Sequence, residues 1–320
     1  MRDDDSCFLM DPFTRATMPL PSLSSYRYYE HPVQFGDDMD SDTDSEDTWP
    51  HISNGKEISI LSLVVCSTRL IAAIVAIGDL GAIALCRPGA AAWSVSARDE
   101  CRLLSHLVFF QGKLYTLDIN HDDHYLDDLI GIDIVDEQDS DEPKVSRVEC
   151  LIPGAYFQCQ KPSVCMNYLL ESHGSLLMVC RKLSYKMDDG SLYAGRSEFK
   201  VLKADFEQQL WADVRTLGND QALFLGQGCS KAVCVSPYDL SRDCIFFLDD
   251  YSWINWDWST TTTTCGVYDM KDEKTNSPLP MVSWKNGEVP ATWFFWQGEI
   301  DKLETAEEDF DETMEPGEDP

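Results

Sequence analysis

The sequence predicts an all-β fold of the β-propeller type. Short apolar strands, each introduced by a Gly or Asp turn, recur at nearly even intervals along the chain, and helical periodicity is almost absent. The first strand of each pair reads GKLYTLD (112–118), GSLLMVC (174–180) and DCIFFLD (243–249). The second reads IGIDIVD (130–136), FKVLKAD (199–205) and CGVYDMK (265–271). Strand pairs repeated at a blade-sized interval are typical of propellers.

A fourth copy of the pair lies earlier in the chain. It reads RLIAAIVA (69–76) followed by GAIALCRP (81–88). A tryptophan-containing element follows the second strand in two copies, as AWSV ending at Val95 and LWADV ending at Val214. Four blades are therefore readable, and a strand within 9–23 implies at least one more, complete or incomplete. A β-sandwich with irregular strands is the alternative fold.

The longest apolar run, ISILSLVVCSTRLIAAIVAI (58–77), is long enough to mimic a membrane span. Arg69 lies just past its middle, where insertion of a charge costs about 2.5–3.5 kcal/mol. Two buried strands joined by a turn near 67–69 explain the run equally well, and the favoured interpretation has no membrane span. The N-terminus has neither a basic region nor an apolar stretch, which argues against a secretory signal. We expect a cytoplasmic or nuclear protein, with its twelve cysteines reduced.

The charge of the chain restricts its partners. The 320 residues carry 25 Lys and Arg against 56 Asp and Glu, a net charge of −31, while 43% of residues are hydrophobic. The apolar content is enough for a sizeable core. Recognition of phosphates needs a basic surface, so nucleic acid and anionic membranes are excluded as expected partners. A protein partner of unknown identity with a cationic surface, or a role of the charge in solubility alone, fits better.

Composition divides the chain into four parts. We expect an N-terminal propeller strand segment at 1–29, an acidic disordered insertion at 30–50, the propeller domain at 51–298 and an acidic disordered tail at 299–320. Variable insertions are expected in the loops between paired strands. They are the stretches 121–128, 186–195 and 251–264.

No sequence motif indicates catalysis, a metal site or a cofactor. The chain has no CxxC pair, no HExxH and no GxSxG motif. His121 and His124 fall among acids in one stretch, which is more typical of a solvated loop than of a metal site. The expectation is a non-enzymatic protein without cofactor or metal. A hydrolase on a propeller scaffold is the alternative from another class.

The candidate partner-binding residues are three tryptophans in one insertion: Trp253, Trp256 and Trp258. Interface energy concentrates in Trp, Tyr and Arg, so exposed rings here would anchor a partner. The competing interpretation is that these rings pack between blades. For Trp293 and Trp296, near the end of the chain, packing that closes the ring is the favoured interpretation.

Three stretches carry a family resemblance. LMDPFTRATMPLPSL (9–23) looks like the strand and turn that follow the F-box in many plant F-box proteins. WADVRTLGNDQALFLGQGCSKAVCVS (211–236) with CIFFLDD (244–250) closely resembles the plant F-box-associated domain of unknown function, the KIB-type β-propeller. GVYDMKDEKTNSPLP (266–280) and the Trp-Phe pair of PATWFF (290–295) match its closing elements. Phe246 replaces the family's usual tyrosine.

The resemblance implies a role in recognising substrates for a Skp–cullin–F-box ubiquitin ligase. F-box helices are not found in the sequence, so binding of the Skp adaptor, and with it ligase membership, is doubtful. The expected function is therefore a non-enzymatic protein–protein interaction module without the F-box. The alternative within the same class is a stand-alone regulator or scaffold that binds targets without ubiquitinating them.

Overall fold

The structure is a computed structural model, and it describes only part of the chain. The described residues are 7–10, 15–29, 58–77, 80–96, 102–119, 126–136, 142–155, 163–188, 191–218, 220–226, 228–238, 240–248, 265–276 and 293. Within them the regular structure is β, apart from one short 3-10 helix at Ser236–Tyr238. None of the described segments is a helix long and apolar enough to cross a membrane.

Four sheets of four or five strands form successive blades. Three short strands come first: β1 (Cys7–Met10), β2 (Thr17–Leu20) and β3 (Tyr26–Tyr29). Blade 1 contains β4 (Ser59–Ser67), β5 (Leu70–Ile77), β6 (Leu80–Cys86) and β7 (Trp93–Ser96). Blade 2 contains β8 (Leu104–Phe110), β9 (Lys113–Asp118), β10 (Asp128–Val135) and β11 (Lys144–Ile152).

Blade 3 contains β12 (Ser163–Ser172), β13 (Ser175–Asp188), β14 (Ser191–Asp205) and β15 (Leu210–Val214). Blade 4 contains β16 (Gln221–Leu225), β17 (Lys231–Cys234), β18 (Cys244–Leu248), β19 (Cys265–Asp269) and β20 (Lys274–Asn276). In blades 1 to 3 the four consecutive strands are neighbours in antiparallel order. The first strand β4 contacts β8, β8 contacts β12, and β12 contacts β17, which places these strands on the inner side of the array.

The predicted fold class is confirmed, and so is the repeat. The first members of the repeated pairs are β5, β9 and β13, the second strands of blades 1 to 3, and β18 in blade 4. The second members are β6, β10 and β14, the third strands of blades 1 to 3, and β19 in blade 4. The two tryptophan elements lie on the fourth strands, with Trp93 in β7 and Trp211 in β15. The apolar run 58–77 folds as β4 and β5, joined by a turn at 68–69.

Local turn chemistry explains why the strands reverse where they do. Two-residue turns at Gln111–Gly112 and His173–Gly174 join the first two strands of blades 2 and 3, and all four residues have positive φ, between 47° and 81°. Such turns match the twist of a hairpin. Asp205 precedes the turn between β14 and β15, and Asp269 precedes the turn between β19 and β20. Each carboxylate accepts backbone N–H bonds of 2.8–3.2 Å from the residues two and three positions later.

The core lies between the blades rather than within a single layer. Side chains alternate along each strand, so each sheet presents two apolar faces. One cluster joins blades 1 and 2 through Ile74, Leu85, Leu114, Ile130 and Ile132. A second joins blades 2 and 3 through Leu117, Leu129, Leu169, Met178 and Leu202. A third joins blades 3 and 4 through Leu177, Val179, Leu223, Ile245 and Phe247.

The N-terminal strands complete blade 1 instead of building a full extra blade in the described residues. The hairpin β1–β2 packs Leu9, Met18 and Leu20 against the face of blade 1 that points away from blade 2. Strand β3 adds to the outer edge of blade 1, where it pairs parallel to β7. The indole of Trp93 is fully buried, and its Nε1 donates a hydrogen bond to the carbonyl of Pro21 at 3.2 Å. The predicted strand within 9–23 is thus confirmed.

Two features differ from the expected blade. The stretch 186–195 was expected to be a loop insertion, and this expectation is wrong, because β13 and β14 continue as a paired ribbon as far as Asp188 and Ser191. The pairing shifts register between Leu183 and Tyr185 and then continues to the ends of both strands. In blade 4, β16 lies between β17 and β18 and runs parallel to β18. Ordinary strand succession does not predict this order, because β16 precedes β17 in the chain.

Substituting Gly266 by Ala should destabilise the interface between blades 3 and 4. Gly266 pairs directly with Phe247, and a Cβ at this position would lie 2.2 Å from the Phe247 ring. Overpacking of this kind costs about 1–3 kcal/mol. Urea denaturation of Gly266→Ala would measure it. In a Phe247→Leu background, which removes the ring, the same change should cost much less. An equal cost in both backgrounds would contradict the steric explanation.

Candidate functional site

One end of the propeller collects the connections that vary most in length. The connections β5–β6, β9–β10 and β13–β14 of blades 1 to 3 and the connection β18–β19 of blade 4 each join two antiparallel strands at the same end of the blade. We name this the loop end. Contacts between blades align these ends, since Gly81 at the start of β6 exchanges backbone hydrogen bonds with Arg102, which also pairs with Asp118 at the end of β9. In propellers, such loops are free to change without disturbing the sheets.

The three predicted binding tryptophans, Trp253, Trp256 and Trp258, lie outside the described residues. The structure does describe both attachment points of the insertion that contains them. These are Leu248, the last residue of β18, and Cys265, the first residue of β19, which are direct pairing partners. The insertion 249–264 therefore begins and ends at neighbouring points at the loop end of blade 4.

A buried arginine holds the first attachment point in place. Arg181 of β13 is only 1% exposed, and its Nη1 donates to the carbonyl of Leu248 at 2.9 Å. Its Nε and Nη2 donate to the hydroxyl of Ser197 at 3.2 and 3.1 Å. The guanidinium carbon lies 4.2 Å from the centroid of the Phe247 ring, within range of a cation–π interaction. Blade 3 thus fixes the strand end from which the insertion leaves.

The inner strands carry a second distinctive feature at the bulge of β8. Pairing with β9 slips between Ser105 and Val108, and His106 in the bulge has a φ of 51°. Such backbone is unfavourable for a residue with a Cβ. The bulge is held from both sides, because the backbone N–H of Leu107 donates to the Ser62 hydroxyl of blade 1 at 3.2 Å. On the other side, the His106 ring lies 5.3 Å from that of Tyr168 in blade 3.

The surroundings of His106 keep its imidazole neutral. Burial lowers the pKa of His106 to about 4, against a smaller opposing effect from a hydrogen bond with the backbone of Asn167. The side-chain Oδ1 of Asn167 is itself buried and has no hydrogen-bond donor among the described residues. A buried acceptor of this kind can take a donor from a bound molecule or a water. The bulge therefore places a neutral imidazole and a buried amide oxygen where blades 1, 2 and 3 meet.

The chemistry of the described side chains offers few reactive groups. No cluster of three or more His, Cys, Asp or Glu suited to a metal occurs within the described ranges. Burial raises the pKa of the Cys66 and Cys86 thiols to about 12. Both thiols therefore stay protonated at neutral pH, which makes them poor nucleophiles. What the loop end offers instead is a set of loops on a rigid support.

Comparison with known proteins bears directly on this architecture. A family model described as KIB1-4 beta-propeller matches residues 1–269. The chain belongs to the KIB1-4 β-propeller family. The match includes all four blades as far as the end of β19, and it agrees with the resemblance carried by 211–236 and 244–250. A search of curated proteins found no match to the chain.

Sequence reasoning missed both Arg181 and His106. Arg181 stands in an apolar strand, LLMVCRKL, where a charged residue between buried neighbours is the available signal. His106 offers no comparable signal, because a bulge and a packing partner from another blade are not visible in a single sequence. Both residues contact strands that are far away in the sequence but close in the folded protein.

Replacing Arg181 by Met should destabilise the protein by about 2–4 kcal/mol, because the Leu248 carbonyl and the Ser197 hydroxyl would lose a buried donor. Urea denaturation would measure the loss. Arg242→Met is the matched control, since the Arg242 side chain is 73% exposed and its nitrogen lies 3.9 Å from Asp220. We expect the control to change stability by less than about 0.5 kcal/mol. Equal effects of the two variants would refute the anchoring role of Arg181.

His106 should make stability fall as pH decreases from about 6.5 to about 4. The imidazole has a pKa near 6.5 in the unfolded chain and about 4 in the folded protein, so the unfolded state binds the proton first. Because the residue is partly accessible to solvent, we expect a loss of about 1–3 kcal/mol over this range. Above pH 6.5 the effect vanishes. Denaturant unfolding at several pH values should show a shallower decline for His106→Gln than for the wild type, and parallel declines would contradict the assignment.

Proposed function

We propose that this propeller is a non-enzymatic protein-interaction module that binds a protein target at its loop end. The observation that carries the proposal is the attachment of the insertion 249–264. The insertion is flanked by Leu248 and Cys265, which are direct pairing partners in β18 and β19. The carbonyl of Leu248 accepts a hydrogen bond from the buried Arg181. Loops carried by a rigid scaffold are the usual location of binding residues. The tryptophans of this insertion would supply the buried aromatic anchors of the interface.

The charge of the chain supports a particular kind of target. A net charge of −31 favours a partner with a basic surface, since complementary charge speeds association and suppresses wrong partners. The same charge disfavours nucleic acid and anionic membranes as partners. A target protein with a cationic patch, met in the cytoplasm or the nucleus, is therefore the partner we propose.

The more specific role follows the family resemblance. The module would present a substrate to a Skp–cullin–F-box ubiquitin ligase. The second candidate is a stand-alone regulator that occupies its target without ubiquitination.

Affinity purification of the tagged chain from plant cells, the host that the resemblance implies, separates these roles. Recovery of the Skp adaptor and a cullin, identified by mass spectrometry, would support the ligase role. One reproducible, stoichiometric partner without them would support the stand-alone regulator. Recovery of chaperones alone would count against an interaction module in either form.

Substituting Trp256 and Trp258 by Ala should weaken binding of that partner at least tenfold while leaving the melting temperature nearly unchanged. A loss of two interface anchors costs binding energy but no core packing, if the rings face the partner. Titration calorimetry and thermal unfolding would measure the two quantities. Trp93→Ala serves as the contrasting control, because its fully buried indole should affect stability strongly. A melting temperature lowered by several degrees in the double variant, with binding intact, would refute the proposal.

A further inference from the structure

The outer face of blade 4 differs from the other blade faces in what covers it. We use this name for the face that points away from blade 3. Its apolar cluster consists of Ala222, Phe224, Val235, Cys244, Phe246 and Val267. Within the described part of the chain, every member of this cluster belongs to blade 4, whereas the clusters on the other blade faces each join two sheets. A large apolar sheet face left open to water is unfavourable.

One described residue from beyond β20 sits on this face. Trp293 meets the ring of Phe224 edge-on, with centroids 5.0 Å apart and an interplanar angle of 81°. Phe224 in turn stacks on Phe246, with centroids 4.6 Å apart. The indole Nε1 of Trp293 donates a hydrogen bond to the carbonyl of Leu225 at 2.7 Å. The ring is therefore held both by aromatic contact and by a directional hydrogen bond to the backbone of β16.

The end of β16 is shaped for a close approach by this indole. A Cβ added to Gly226 would lie 3.3 Å from Cδ1 of Trp293, which is tighter than an ordinary van der Waals contact. The Gly226 position is buried. A glycine here lets the indole lie close enough to reach the carbonyl of the preceding residue. The absence of a side chain at Gly226 thus makes room for the indole of Trp293.

We propose that the segment 277–298 of this chain is the cover of the outer face of blade 4, with Trp293 as its anchor. The proposal extends the folded unit past the family match, which ends at residue 269. It is independent of the function proposed for the loop end. The segment would keep the outer face from associating with a second copy of the chain or with another apolar surface.

The length of the segment is sufficient for this role. Strand β20 forms the outer edge of blade 4, and Phe224 lies on β16, three strands further inward. Crossing three strand spacings requires about 15 Å. Sixteen residues separate Asn276 from Trp293, and an extended chain of that length reaches about 50 Å. The segment can therefore return across the sheet and still span its face.

Hydrogen exchange of the full-length protein, read by mass spectrometry, tests the cover directly. Peptides spanning 288–298 should exchange at least tenfold more slowly than peptides from 303–318, because a docked segment has protected amides. Equally fast exchange in both regions would overturn the proposal.

Substitution of the anchor provides the second test. Trp293→Ala should remove the protection of 288–298 and lower the melting temperature by about 5–10 °C. Trp293→Phe keeps an aromatic ring but lacks the indole donor, so it should lose part of the protection and serves as the readout if the Ala variant does not fold. Trp284→Ala, in the same segment, is the matched control and should leave protection near 293 in place. Equal loss in the Trp284 variant would overturn the role of Trp293 as anchor.

The association state is the third readout. Once Trp293 is replaced by Ala, the open outer face should bind a hydrophobic dye and increase the dimer fraction, measured by size-exclusion chromatography with light scattering. A second change on the same face, Phe246→Lys, should reverse that dimerisation. A wild-type protein that is already dimeric, and that becomes monomeric with Phe246→Lys, would show that a second copy covers the face and would overturn the proposal.

Discussion

Face-to-face packing of successive sheets is the interaction on which the rest of this structure depends. Each blade is a sheet with two apolar faces, so no blade can bury its core residues alone. Blades 2 and 3 are covered on both sides by neighbouring blades, and the hairpin β1–β2 covers the free face of blade 1. The aromatic rings of Phe224 and Phe246 mark the remaining face, on blade 4. The folded state of each blade is therefore stabilised by the sheets that pack against its two faces.

Polar contacts between blades fix the alignment that apolar packing leaves free. Hydrophobic burial has little directional preference, so burial alone does not select one alignment of two packed sheets. The guanidinium of Arg181 favours one alignment of blades 3 and 4, because its donors reach oxygens in both blades. Between blades 1 and 2, Arg87 reaches Asp136 in a similar way. Arg181 acts at the attachment point of the insertion 249–264, at the loop end, whereas Arg87 and Asp136 follow β6 and β10 at the opposite end of their blades.

The candidate site was only partly predictable from sequence. The tryptophan-rich insertion is visible because its composition differs from that of the strands around it, and its position between two repeated strands places it at a blade end. The support beneath it is not visible in the same way. Arg181 and Leu248 are distant in sequence, and only the packing of two sheets brings the guanidinium to that carbonyl. The bulge at His106 likewise depends on the hydroxyl of Ser62 in another blade.

The sequence by itself determined the strand repeat, the all-β class and the family, because alternation of side chains and turn residues are local properties of the chain. Gly112 and Gly174 mark hairpin turns before any fold is known. Only the tertiary structure decided how the array begins and ends. The placement of β16 beside β18, the use of β1–β2 as a cover and the seat of Trp293 on Phe224 all depend on contacts between remote segments. These contacts form on the apolar faces that are still exposed after the blades have packed against each other. A local sequence pattern does not show which faces those are.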